Sequence, residues 1–161
     1  MPKCIVSKKM KRVNERSSVL NIRPIDKNDP HKLVHLMEQL GYPTTKEDLI
    51  QRFNTLSKNA DYHTLVVESN NQCIGFAGLH RGLFYEATGQ YVRIVAFVVD
   101  EDQRRNGVGK ALIMAIEDWA RGQGIDTLVL NSGNREERAA AHAFYEKMGF
   151  QAKSTGFSKK I

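Results

Sequence analysis

The chain is poor in cysteine. Its 161 residues include only two. Cys4 lies in a basic lead and Cys73 beside a pair of asparagines, without CxxC spacing or a nearby histidine pair, which argues against a disulfide framework and a thiolate metal site. Both are expected to be reduced, and no metal is expected. Long apolar runs are also missing: the longest, Ile94 to Val99, falls far short of the ~20 residues that span a bilayer. The N-terminus has no apolar stretch of the kind that leads secreted chains. A soluble cytoplasmic protein with no membrane partner is the expectation. Repeats and low-complexity tracts are absent too, which removes solenoid architectures.

Positive charge is present but unevenly spread. The formal net charge is +6; Lys3, Lys8, Lys9, Lys11, Arg12 and Arg16 against Glu15 give residues 1–17 a net of +5, leaving +1 for residues 18–161. The body is close to neutral, so nucleic acid is not the expected partner. The lead reads as a flexible extension, with a nucleic-acid or partner-binding arm as the competing reading. Residues 18–161 suit one domain with its own core.

Periodicity gives the element order. Leu20 and Ile22 alternate with polar neighbours up to Pro24, as in a first strand, and "PHKLVHLMEQLG" and "TTKEDLIQRFNTLSK" each place apolar residues at helical spacing. "YHTLVVES" and "QCIGFAGLH" flank "NN" as a hairpin, and "GLFYEATGQ" is a loop. "YVRIVAFVV" is apolar at nearly every position, as a strand covered on both faces requires. Val108, Leu112, Ala115, Ile116 and Trp119 stripe a helix that ends at Gly122 or Gly124. "DTLVLNS" reads as a strand, "REERAAAHAFYEKMG" as a helix capped by Asn134 and closed by Gly149, and "FQAKSTGFSKK" as a last strand or hairpin. The order is β α α β β β α β α β, an α/β (α+β mixed) fold with helices flanking one central sheet.

The junction Asp100 to Gly109 carries the chemistry. Glycines between a strand and a helix let a ligand approach the backbone, and the first helical N–H groups have no intrahelical partners. Arg104, Arg105 and Lys110 add positive charge, so a pyrophosphate suits the site. A Walker loop is excluded, because Ala111 follows Lys110 and Arg104 stands where its first glycine belongs; a dinucleotide fingerprint fails at Leu112.

The remaining pattern, Arg104, Gly107 and Gly109 directly after an apolar strand, resembles the acetyl-CoA loop of the GNAT family of N-acetyltransferases, and the element order is similar to that family's over residues 19–158. The resemblance implies a mostly antiparallel, splayed sheet and an acyltransferase that uses acetyl-CoA. It implies that Arg104, Arg105, Asn106, Gly107, Val108, Gly109 and Lys110 hold the pyrophosphate, with main-chain groups of Phe97, Val98 and Val99 along pantetheine. Asn134 is a candidate side-chain contact, N-capping being the competing explanation. Tyr145, followed by Gly149 and Phe150, matches a second family block, which makes its phenol the general acid for the departing thiolate.

The family's usual carboxylate on the central strand is absent here, where Val95 and Ala96 stand. Glu86 ranks first as the base, with Asp100, His80, Tyr85 or a water chain as alternatives. Tyr42, Phe53, Phe84 and Tyr85 are candidate acceptor contacts. The expected reaction is acetyl transfer to a primary amine of a small molecule by direct attack in a ternary complex. The competing readings are a non-catalytic acyl-CoA sensing module and an enzyme acting on a protein amine; assembly as a homodimer is left open.

Overall fold

The computed structural model describes residues 19–161. The basic lead, with Cys4, lies outside the described residues. In chain order come β1 (Asn21–Pro24), α1 (Val34–Gln39), α2 (Lys46–Leu56), β2 (Tyr62–Ser69), β3 (Gln72–Leu83), β4 (Gln90–Val99), α3 (Val108–Gly122), β5 (Leu128–Leu130) and α4 (Ala139–Lys147). Short 3-10 turns occupy Pro30–Leu33, Glu101–Gln103 and Glu136–Arg138. The strands form one sheet in sequential order, antiparallel from β1 to β4 and parallel between β4 and β5.

Local chemistry accounts for most boundaries. Asn70 and Asn71 take φ of 50° and 62°, the paired left-handed conformation that closes a two-residue hairpin and that asparagine tolerates. Thr45 caps α2 by accepting from the Asp48 amide at 3.1 Å, with Glu47 and Asp48 in the first turn. Three expectations need correction. The first helix begins as the 3-10 turn at Pro30, and Asn134 does not cap α4, because the turn at Glu136–Arg138 intervenes. No strand forms after α4: residues 150–161 carry no regular element. Lysines and small polar residues interrupt their alternation, and Phe157 is 96% exposed, so that segment has no apolar face to bury.

The sheet has a cluster on each face. Leu112, Ile113, Ile116 and Ala120 of α3 pack on Leu65, Val67, Leu79, Val92 and Ile94. On the other face Leu36 of α1 and Leu49 of α2, with Leu33, cover Val66, Phe76 and Val98. Burying each of the Leu, Ile, Val and Phe side chains contributes roughly 1.5–3 kcal/mol.

One polar network ties β1 to the helical layer. Arg23 donates from Nη1 and Nη2 to the Asp29 carboxylate at 2.6 and 3.1 Å and from Nη2 to Glu68 at 2.6 Å. Asp29 is 1% exposed and also accepts from the Asp26 amide at 2.7 Å. The Arg23 hydrogen bonds bring the Asp29 carboxyl down from 3.8 to about 2, although burial opposes them, with help from the Asp26 amide. A carboxyl depressed on folding contributes stability above its unfolded value that is lost as pH falls through its folded value. Between about pH 4 and about pH 2 the protein should therefore lose about 2 kcal/mol from this group alone. Urea unfolding across that window should show the loss in the wild type and not in Asp29→Asn; parallel curves would remove the network from the acid response.

Candidate active site

The central strand carries one residue too many. Ile94 pairs with Leu79 and Ala96 with Gly78, so Val95 is a β-bulge. On its other side β4 pairs with β5 only through Val92↔Leu128, Arg93↔Val129 and Ile94↔Leu130. Beyond Ile94 that edge has no strand beside it among the described residues. The Asp100 amide donates to Ile74 of β3 at 2.9 Å, so strand alternation turns Val98 toward β3 and leaves the main-chain groups of Phe97 and Val99 on the open side. The Val99 carbonyl accepts from Arg104 Nε at 3.2 Å.

The chain then turns into α3. Arg105 and Gly107 adopt φ of 65° and 80°; glycine takes this conformation freely, whereas an arginine is strained by on the order of 1 kcal/mol. Gly107 is the N-cap and supplies no side-chain hydrogen bond. The first helical bond runs from the Ala111 amide to the Gly107 carbonyl at 3.0 Å, which leaves the amides of Val108, Gly109 and Lys110 without intrahelical partners. They form the positive end of a helix of 15 residues.

Gly109 has a second reason to lack a side chain. A Cβ there would meet the Phe144 ring at 3.2 Å and Val99 at 3.8 Å. Phe144 and Tyr145 sit on α4, and both rings reach Phe97, with centroids at 5.9 and 6.1 Å. At the end of α4, Gly149 (φ 91°) donates to Glu146 at 3.0 Å and Phe150 donates to Tyr145 at 3.0 Å. This Schellman closure folds the Phe150 ring edge-on to Tyr145 at 5.9 Å. Burial raises the Tyr145 phenol above its ordinary 10.0, Arg138 opposing. The phenol therefore keeps its proton at neutral pH.

A split sheet edge, an uncapped helix start and a tyrosine set against that edge form the geometry with which the comparisons agree. The family model for the acetyltransferase (GNAT) family matches residues 30–150. The chain belongs to the GNAT acetyltransferase family. It is 30% identical over 128 residues to the uncharacterized N-acetyltransferase YhdJ of Bacillus subtilis, covering 78% of this chain and 87% of that protein. A GNAT family acetyltransferase from Staphylococcus aureus superposes with TM-score 0.77 at 30% identity, covering 88% of this chain and 98% of the other. The aminoglycoside N-acetyltransferase AAC(6')-Iy, solved with CoA, shares the fold at TM-score 0.78 and 19% identity, covering 91% and 97%. The protein is thus an N-acetyltransferase of the GNAT fold.

Within this GNAT domain the structure brings Phe97, Val99, Gly109 and Tyr145 together through Phe144, whose bridging position sequence reading missed; its place beside Tyr145 on a helix was the available signal. Val108 is buried by its side chain, so only its amide faces the opening. Arg104, Arg105, Asn106 and Lys110 are exposed around the loop, and Asn134 is exposed after β5. Glu86 is not brought to them. The β3–β4 ladder continues to Leu83↔Gln90, which puts Glu86 on the turn beyond, about 20 Å along β4 from Phe97 at ~3.3 Å per residue. Cys73 is buried beneath α1 and α2, on the opposite face from Phe97, Phe144 and Phe150, which Tyr145 packs against. Burial raises its thiol above the ordinary 9.0, which leaves little thiolate to act as a nucleophile. No group of three or more metal-ligating side chains converges among the described residues, and no helix there is long and apolar enough to cross a membrane.

The contact between Gly109 and Phe144 predicts a coupling between loop and α4. Gly109→Ala should destabilise the protein by about 1–3 kcal/mol through overpacking, and Phe144→Leu, which shortens the ring, should absorb part of that cost. A double-mutant cycle by urea unfolding should return a coupling of at least about 0.5 kcal/mol; additive effects would show that the two residues do not bear on one another.

Proposed function

We propose that the protein transfers an acetyl group from acetyl-CoA to the primary amine of a small molecule by direct attack within a ternary complex. The observation that supports this most strongly is continuity: the open edge at Phe97 and Val99 runs directly into the uncapped amides of Val108, Gly109 and Lys110. A ligand with a pyrophosphate at one end and amides along its arm satisfies both sets of main-chain groups, and coenzyme A has that constitution. In this reading Arg104, Arg105 and Lys110, exposed around the loop, neutralise phosphate charge, Asn106 and Gly107 shape the turn, and Asn134, exposed after β5, is a further side-chain contact. The CoA seen in the aminoglycoside acetyltransferase of the same fold is in keeping with this reading.

Bound acetyl-CoA supplies an activated acetyl thioester. The acceptor nitrogen forms the new C–N bond as the C–S bond breaks, and Tyr145 gives its phenolic proton to the departing sulfur. The proton lost by the amine needs an acceptor, and Glu86 is too distant. His80 takes its place in this reading: it is half-buried on β3, paired with Arg93, about 8 Å from Val95 by strand spacing, close enough to act through one water.

Tyr145→Phe should lower kcat roughly ten- to a thousand-fold with acetyl-CoA affinity unchanged, the signature of a lost general acid. Because its acidity is weakened by burial, the alkaline limb that Tyr145 contributes should lie above pH 10.0. Glu86→Gln should leave the profile intact. CoA release measured across pH for the three proteins decides the roles, and full turnover by Tyr145→Phe would return that residue to a packing role.

A further inference from the structure

Helices α1 and α2 cover only half of their face of the sheet. Beyond Val66, Phe76 and Val98 the same face continues through Tyr62 on β2, His80 on β3, and Tyr91, Arg93 and Val95 on β4, as strand alternation and the bulge require. Leu128 and Leu130 pack into the α3 cluster, so Val129, opposite Arg93, extends this uncovered face onto β5. It borders the point where β4 and β5 part. Val95 is 57% exposed and Tyr62 38%, an uncommon setting for a valine in the middle of a central strand.

The charge of this face is of one sign. Arg93 is its charged group, with the His80 imidazole beside it, and its strand positions contribute no carboxylate. Of the other described arginines, Arg23 meets Asp29 and Glu68, Arg81 meets Asp61, and Arg121 meets Glu117 and Asp118, while Arg52, Arg104, Arg105, Arg135 and Arg138 meet no carboxylate. Arg93 meets no carboxylate among the described residues. Its guanidinium lies 5.9 Å from the centroid of the Tyr91 ring, and with the Asn131 amide turned to satisfy both its atoms, Nη1 donates to Asn131 at 3.3 Å. Most of its five N–H donors have no partner. The Tyr91 ring lies across Gly82, where a Cβ would overlap it, and Tyr62 stacks at a tilt on His80 at 4.7 Å. The face therefore offers aromatic walls, an unmatched guanidinium and an imidazole within one strand of each other.

Resting on the transferase reading above, we infer that the acceptor is an amine that also carries an anionic group, a carboxylate or a phosphate, which Arg93 pairs with while Tyr62, Tyr91 and Val95 hold the body of the molecule. A polycation is the wrong partner, because nothing on this face complements it and Arg93 repels it. The chain differs here from what the aminoglycoside acetyltransferases of the same fold act on.

The test uses matched amines with acetyl-CoA, compared at equal free-amine concentration: L-phenylalanine against L-phenylalaninamide, glucosamine 6-phosphate against glucosamine, and kanamycin as the polycation. CoA release is followed by thiol titration, and amine binding by calorimetry on CoA-saturated protein. In at least one pair the anionic member should be preferred about 10- to 100-fold in kcat/KM, and which pair responds separates carboxylate from phosphate. Arg93→Ala should raise KM for that member by the same factor without altering acetyl-CoA affinity or the neutral member's KM. Arg93→Lys should restore part of the preference, and Arg93→Glu should move it toward kanamycin. Equal use of neutral or polycationic amines, a preference that survives Arg93→Ala, or no binding by any anionic member while acetyl-CoA binds would overturn the inference. Failure of acetyl-CoA itself to bind would instead remove the transferase reading beneath it.

Discussion

Between Ile94 and Ala96 the central strand is one residue longer than its antiparallel neighbour, and the geometry of the site depends on that surplus at Val95. A bulge sharpens the local twist and bends the strand that contains it. The bend is compatible with β3, which follows it to Gly75↔Val99, whereas β5 is only three residues long and pairs no further than Leu130. The sheet consequently opens on one side of β4 and stays closed on the other. Main-chain donors and acceptors left at such an edge cost about 1–3 kcal/mol each when they are buried without partners. A ligand rich in amides, as in the proposed function, would relieve that cost without needing a side chain from the edge.

Aromatic packing holds the opening in shape, alongside the Arg104–Val99 hydrogen bond. Phe144 lies against Gly109 at the start of α3 and against Phe97 on the strand edge, and Tyr145 shares both the helix and the Phe97 contact. Loop, edge and the Tyr145 phenol are thereby referred to one another through two adjacent residues. The Schellman closure at Gly149 adds Phe150 as a third wall. This gives the Gly-Phe pair after the tyrosine a physical meaning: glycine supplies the left-handed turn, and phenylalanine fixes the ring that carries the phenol.

Much of this was legible because it follows from short-range chemistry. The two asparagines of the β2–β3 turn, the Thr45 cap and the α3 stripe each specify their local conformation, and the apolar run from Ile94 marked the central strand before its pairing was known. The glycine spacing marked the start of α3, where Val108, Gly109 and Lys110 leave their amides without intrahelical partners, although it attributed Gly109 to ligand approach alone, when the Phe144 ring also requires it. What sequence could not show was register. Whether one residue is surplus between two strands depends on pairing across the sheet, so the Val95 bulge had no local signal, and the reach of the β3–β4 hairpin that carries Glu86 away was hidden for the same reason. The missing last strand is a different failure: "FQAKSTGFSKK" is read as a last strand or hairpin although its composition has too little apolar alternation to sustain one.

In the proposed function one ligand bridges the open edge of β4 and the uncapped start of α3. Amide hydrogen exchange, resolved by residue in the free protein and with saturating acetyl-CoA, tests it directly. The amides of Phe97, Val99, Val108, Gly109 and Lys110 should exchange freely alone and become protected together on binding, while Val98, already turned to β3, should be slow in both states. Protection confined to the helix start, or unchanged exchange at all five amides, would contradict it.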